Sequence, residues 1–295
     1  MTLPARIAQL PCWQGTPKGA PLTGGLSNEI WKVTDDAGAH VLRLGPDYPF
    51  HHVARDREAM TTRAAHAAGF APAVEYAAPG VMVTAYLDAR TWGPADLCAD
   101  PPRVAHLLRA FHDRMPAEVS GAAYLFWPFH VVRDYARTLH AGGSAWAEDL
   151  PRLLALNAAL EAQQPPLPLV FGHNDLLPAN FLDDGHRLWL IDYEYAGFST
   201  AMFDLAGAAS NAGMSGEQSD ALLTAYLGQP PDPAFQRGFD AMQCASLLRE
   251  AMWAMVSALH LSAPGVDYHA YATENLTRLE AALARHASAH GELSL

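Results

Sequence analysis

His173-Asn174-Asp175-Leu176-Leu177-Pro178-Ala179-Asn180 is the stretch that decides the fold, and Asp192 follows it twelve residues after Asn180. An apolar run, Leu169-Val170-Phe171, leads into it. Phe181-Leu182, the turn Asp183-Asp184-Gly185 and the apolar run Leu188-Trp189-Leu190-Ile191 lead out of it. Short apolar runs bounded by Asp and Gly predict a strand, a loop over 172–180 and a hairpin that ends at Asp192. Asp175 and Asn180 then sit on the loop, and Asp192 comes back beside them.

That convergence suits one chemistry. Phosphoryl transfer needs a carboxylate beside the attacking hydroxyl, to orient it and take its proton. It also needs a cation across the phosphates, and Mg2+ prefers hard oxygen ligands. The kinase catalytic-loop pattern H-R-D-L-x-x-x-N, followed by a metal-binding Asp, matches at His173, Asp175, Leu176 and Asn180 and differs at Asn174. Asp175 is read as the base, Asn180 and Asp192 as the Mg2+ ligands, and His173 as a brace for the loop. Pro178 stiffens the loop. An ordinary strand–turn–strand with polar loop residues is the competing reading. The hairpin ending in Ile-Asp and the β-rich region upstream favour the phosphotransfer reading.

Upstream, Gly24-Gly25 makes a turn before two short strands, Ile30–Val33 and His40–Leu44. Glycines let backbone amides approach phosphate oxygens, and Ser27 and Asn28 add side-chain hydrogen bonds, so Gly24, Gly25, Ser27 and Asn28 are expected to hold the phosphates of ATP. Arg43 stands on the second strand, where kinases commonly carry a lysine, with Glu58 as its expected helix partner. An Ala-, Arg- and Glu-rich stretch over 54–68 reads as a helix ended by Gly69, and residues 73–87 as two strands split by Pro79-Gly80. Asp88-Ala89-Arg90 reads as a hinge. Beyond it the pattern turns helical over 101–115, 130–141, 149–163 and most of 201–290. The fold class expected is α+β: residues 1–87 as a small β-rich nucleotide-binding lobe, and residues 88–295 as a larger, mostly helical catalytic and acceptor-binding lobe.

Charge narrows the partners. The 295 residues carry 19 Lys and Arg against 31 Asp and Glu, a formal balance of −12. Residues 1–85 hold 7 basic and 7 acidic side chains, so the whole excess lies in the remainder. Such a chain is a poor ligand for nucleic acid or an anionic membrane, while a small cationic alcohol would be drawn to the second part. Three widely spaced cysteines, Cys12, Cys98 and Cys244, give no CxxC and no disulfide framework. The longest apolar region, 241–263, is interrupted by Arg249 and Glu250 and reads as a buried helix, with no membrane span. No signal-peptide pattern opens the chain, and a cytoplasmic location is expected. A homodimer is left open.

The quoted loop, together with Ile191-Asp192-Tyr193-Glu194-Tyr195-Ala196-Gly197 and Phe203-Asp204-Leu205-Ala206, resembles the choline/ethanolamine kinases. These belong to the wider aminoglycoside-phosphotransferase-like group, which shares the protein-kinase fold. Gly24–Asn28, Glu250-Ala251-Met252-Trp253 and Asp267–Ala272 extend the resemblance over roughly 20–285. It implies a protein-kinase-like architecture, ATP with Mg2+, and choline or ethanolamine as acceptor. It implies that Asp204 holds the catalytic loop and that Glu194 and Tyr195 face the cleft. Trp253, Tyr268 and Tyr271 would join Tyr195 around the acceptor, because a quaternary ammonium is held by aromatic faces and carboxylates. Trp253, with Met neighbours at helical spacing, also reads as plain core. Two departures bear on the acceptor. Leu177 stands where many members carry Gln, and Asn211 where some carry an acidic residue. Kinases for thiamine or an aminoglycoside stay open as alternatives. So does a nucleotide-binding pseudokinase, which the intact Asp175, Asn180 and Asp192 argue against. The 14 histidines form no HExxH, which disfavours a hydrolytic metalloenzyme.

Overall fold

A computed structural model describes residues 3–22, 28–263 and 265–295. Its first part is an antiparallel sheet of β1 (Lys18–Leu22), β2 (Glu29–Thr34), β3 (Ala39–Leu44), β4 (Val74–Ala78) and β5 (Val81–Ala85), in the order β1-β2-β3-β5-β4. Alternation sets which face is covered: Val33, Leu42 and Val83 turn inward onto Ile7 of the short helix α1 (Ala5–Ala8). β1 carries Pro21, which has no N–H for a ladder and so suits an edge; that proline hid the strand from sequence reading. Helix α2 (Arg55–Ala67) lies against β4 and is followed by Gly69 at φ +87°, close to the helix expected over 54–68.

The second part is mostly helical, as expected for an α+β chain of this order. It contains α3 (Pro94–Ala99), α4 (Pro101–Glu118), α5 (Pro128–Ala141), α6 (Leu150–Glu161), α7 (Ala201–Ala212), α8 (Gly216–Leu227), α9 (Pro233–His260) and α10 (Tyr268–His290). Helix α9 is the axis of this part, packed by α5, α6, α7 and α10. Asp232 caps it by accepting from the Ala234 and Phe235 amides at 2.9 and 2.8 Å, and Pro233 supplies the first-turn residue that needs no donor. Apolar side chains surround α9 on every face because helices do, which explains the apolar run at 241–263. Among the described residues no helix is long and apolar enough to cross a membrane.

Two small sheets carry the loop that opened the sequence reading. β7 (Leu169–Gly172) pairs antiparallel with β10 (Gly197–Thr200), and β8 (Phe181–Asp183) pairs with β9 (Leu188–Leu190) as the expected hairpin. The segment read as a hinge continues into β6 (Arg90–Thr91), which adds a third strand beside β8. The connection from β3 to α2 is also more than a linker. A single 3-10 turn, Pro49–His51, with His52 at φ +61°, leaves the sheet and inserts His51 among the helices, where it is 1% exposed.

Candidate active site

The site starts at the end of β7. Gly172 is required there, because a Cβ would stand 2.8 Å from Asn174 Oδ1 and 3.2 Å from Asp204 Oδ2. The chain then turns through Asn174 at φ +62°, a conformation that Asn tolerates better than most residues. This accounts for the departure at position 174. Besides taking the turn, the Asn174 amide donates to the carbonyls of Tyr195 and Gly197 at 3.1 and 3.2 Å. Asp204, in the first turn of α7, accepts from the His173 and Asn174 backbone amides at 2.8 and 2.7 Å. His112 Nε2 donates to the same carboxylate at 2.9 Å and, through Nδ1, meets the Tyr226 hydroxyl at 2.8 Å. Burial works against the Asp204 charge, but His112, His173 and the amide outweigh it and hold its carboxyl below the usual range. Burial depresses the His173 imidazole pKa, and its Nε2–H donates to the Ile191 carbonyl at 2.9 Å. His173 thus ties the loop to the strand end that carries Asp192.

Asp175, Asn180 and Asp192 come together through short links. Asn180 Nδ2 donates to the Asp175 carbonyl at 2.8 Å, and the Ile191 amide donates to the Asn180 carbonyl at 3.1 Å. Asp192 follows at φ +68°. Burial pushes the Asp175 carboxyl up to about 7; Arg249 opposes the shift, and Glu250, Glu194 and Asp204 add to it. Burial also raises Asp192, reinforced by Glu194 and Glu58 and opposed by Arg43. Asp192 Oδ1 is buried without a hydrogen-bond partner among the described residues. The Asn180 amide nitrogen is engaged, which leaves its carbonyl oxygen free to ligate. Two hard oxygens at a carboxylate-rich corner fit a magnesium ion that takes its other ligands from phosphate and water. Among the described residues no three His, Cys, Asp or Glu side chains form a metal cluster, so no all-protein cage competes with that arrangement.

The upper wall is a charge network. Arg43 pairs with Glu58, and its Nη1 lies 3.8 Å from Glu194 Oε2. Arg55 donates to Glu58 Oε2 at 2.8 Å, to Glu194 Oε2 at 2.9 Å and to Asn28 Oδ1 at 2.6 Å. Asn28 Nδ2 also reaches Glu194, at 3.3 Å. Glu194 therefore engages the arginines beneath the sheet. Gly24, Gly25 and Ser27 lie outside the described residues. A cavity of about 1060 Å³ opens beside α2, lined among others by Glu29, Gly45, Arg55 and Gly80. It shares Arg55 with the network, while Asp175, Asn180 and Asp192 do not line it.

The lower wall belongs to α9 and α10. Arg249 Nη1 lies 3.6 Å from Asp175 Oδ1 and donates to Glu250 Oε2 at 2.7 Å. The Tyr271 hydroxyl donates to Glu250 Oε1 at 2.9 Å, and the Trp253 indole N–H donates to the Tyr195 hydroxyl at 2.9 Å. Tyr268 is 5% exposed and meets Trp253 edge-on. Tyr195, Trp253, Tyr268 and Tyr271 are thus one packed cluster beside Asp175.

Over residues 18–239 the chain matches the phosphotransferase enzyme family. It belongs to that family. Family membership makes it a phosphotransferase. It is 26% identical over 275 residues to a probable ethanolamine kinase of Arabidopsis thaliana, covering 80% of this chain and 72% of that protein. It is 28% identical over 214 residues to protein LicA of Haemophilus influenzae, covering 70% of this chain and 62% of that protein. Among solved structures it resembles a choline/ethanolamine kinase family protein from Mesorhizobium loti, with TM-score 0.74 and 28% identity over 97% of both chains. The protein-kinase-like architecture expected from the loop is therefore the family's architecture here.

Sequence reading of this family member missed Arg55, His51 and Arg249. Arg55 had a local signal, since it precedes Glu58 by one helical turn. Arg249 was visible only as a charge interrupting an apolar helix. His51 had no signal, because its partners Tyr135 and Ser257 lie far along the chain.

Proposed function

We propose that this protein transfers the γ-phosphoryl group of ATP to the hydroxyl of a small amino alcohol, with choline and ethanolamine as the acceptor class. The observation that carries the reading is the union of Asp175, Asn180 and Asp192 through the Asn180 amide and the Ile191–Asn180 backbone bond. Asp175, with a pKa pushed up to about 7, is poised to accept the acceptor's proton near neutral pH. Asn180 and Asp192 would hold Mg2+, which when bound spreads the negative charge of the phosphates. Asn28, Arg43 and, through Arg55, Glu58 would set the phosphate end of the nucleotide. We assign nucleotide binding to residues 1–87 and acceptor binding to 88–295. The names of the relatives support an amino alcohol, and the carboxylates Glu250 and Asp175 suit a cationic one.

The test is acceptor-dependent ADP release by the purified protein with ATP and Mg2+, run against choline, ethanolamine, thiamine and an aminoglycoside. Turnover should appear with an amino alcohol and fall about 100- to 10,000-fold in kcat in Asp175→Asn, the range general bases contribute. ATP binding without turnover on any acceptor would favour a nucleotide-binding module. Full activity in Asp175→Asn would remove Asp175 as the base.

A further inference from the structure

Choline and ethanolamine differ only at nitrogen, and that difference asks for different walls. A trimethylammonium donates no hydrogen bond and is held against open aromatic faces. A primary ammonium donates three and needs oxygens to receive them. The rings beside Asp175 do not stand open. The Arg249 guanidinium carbon lies 4.4 Å from the Tyr195 ring centroid, and Phe126 meets that ring edge-on. His51 stacks on Trp253 with centroids 5.1 Å apart and planes 21° from parallel. Tyr268 and Tyr271 pack against Trp253 in edge-to-face contacts, with centroids 6.0 and 6.2 Å away. Trp253 and Tyr195 are 5% and 3% exposed, so little ring surface remains for a methylated cation.

The oxygens, by contrast, have capacity to spare. Glu250 receives one bond from Tyr271 and one from Arg249, and an ionised carboxylate offers about four acceptor positions. Asp175 Oδ1 lies 3.6 Å from the same Arg249 Nη1 that donates to Glu250. His51 is held firmly in its place. Its Nε2 hydrogen-bonds Ser257 Oγ at 2.8 Å and its Nδ1 the Tyr135 hydroxyl at 3.3 Å. It comes from the β3–α2 connection, so the face of an acceptor-side tryptophan is covered by the nucleotide-side part of the chain.

We propose that the acceptor pocket selects a hydrogen-bonding ammonium over a trimethylammonium, and that His51 sets this preference by covering Trp253. The proposal rests on the amino-alcohol reading above. Removing the imidazole uncovers the indole face and turns the pocket toward the methylated cation.

The experiment is steady-state kinetics at saturating ATP with a graded series: ethanolamine, its N-methyl and N,N-dimethyl forms, and choline. In the wild type, kcat/KM should fall with each methyl group, by about 100-fold or more from first to last, because lost hydrogen bonds discriminate at least that strongly. In His51→Ala the ratio should shrink at least about tenfold, carried by a lower KM for choline. His51→Gln keeps a hydrogen-bonding group near Ser257 without the flat ring, and should move the ratio the same way if the alanine variant fails to fold. Equal use of the four acceptors, or a preference for choline, in the wild type would overturn the proposal and leave the amino-alcohol reading intact. An unchanged ratio in a folded variant would overturn the role of His51. No turnover with any of the four would overturn the amino-alcohol reading and the proposal with it.

Discussion

Replacing Asp204 by Asn tests the brace beneath the catalytic loop. The wild-type carboxylate receives three bonds, from the His173 amide, the Asn174 amide and His112. Asn keeps one oxygen. If that oxygen serves His173 and His112, the new NH2 faces the Asn174 N–H, donor against donor. One charge-assisted bond is lost, at about 1.5–3 kcal/mol, and the buried amide left behind costs about 1–3 kcal/mol more. The sum, roughly 2.5–6 kcal/mol, brackets the usual cost of about 3–5 kcal/mol for breaking a buried ionic group. Urea denaturation followed by tryptophan fluorescence should show this loss at pH 7. The loss should shrink in acid. Asp204 has a folded pKa below the ordinary carboxylate value near 3.9, so its contribution is complete above that value and disappears as pH falls through the lowered one. In the same variant kcat should fall, because Asn174 and Asp175 lose their fixed approach. A destabilisation under about 1 kcal/mol together with wild-type kcat would refute the brace, since charge-assisted buried bonds cost more than that.

Three further outcomes follow from the same geometry. Asp192→Asn should weaken the Mg2+ dependence of turnover, read as a rise of about tenfold or more in the Mg2+ concentration for half-maximal rate, the scale of a lost ligand contact; an unchanged titration would free Asp192 from that role. Arg55→Ala leaves Glu58 and Glu194 short of a buried partner and should cost about 3 kcal/mol in denaturation, since unpaired buried charges are expensive. For His40, burial opposes the charge, but hydrogen bonds to Asp35 and Glu75 prevail and raise its pKa. Its contribution to stability is therefore full below about pH 6.5 and fades as pH rises through the raised folded value; thermal melts from pH 5 to 9 should show this slope in the wild type and not in His40→Gln.

The parts of this protein that sequence made legible share one property: their reasons are local. The hairpin ending in Ile191-Asp192 follows from short apolar runs and a tight turn, and β2 and β3 likewise. Helix α2 follows from composition and a terminal glycine. β10 escaped notice because Gly197–Thr200 is strand-like only through its pairing with β7. The aromatic cluster beside Asp175 was half legible. Tyr195, Trp253, Tyr268 and Tyr271 came from a resemblance, yet their faces are covered by Arg249 and His51, which no resemblance pointed to. Those contacts join α9 to the loop and to the β3–α2 connection across most of the chain. No window of sequence holds both ends.

The Pro49–His51 turn has a consequence for motion. Kinase-like clefts admit and release nucleotide by opening between their two parts. Here one corner of the opening is fastened. Phe50 stacks on His260 at 4.4 Å, His51 bonds Ser257, and His52 Nε2 lies 2.7 Å from Asp134. A rigid swing would have to draw three consecutive side chains out of the helical part at once. Any opening would therefore have to leave this corner, beside the stacked His51 and Trp253 rings, in place.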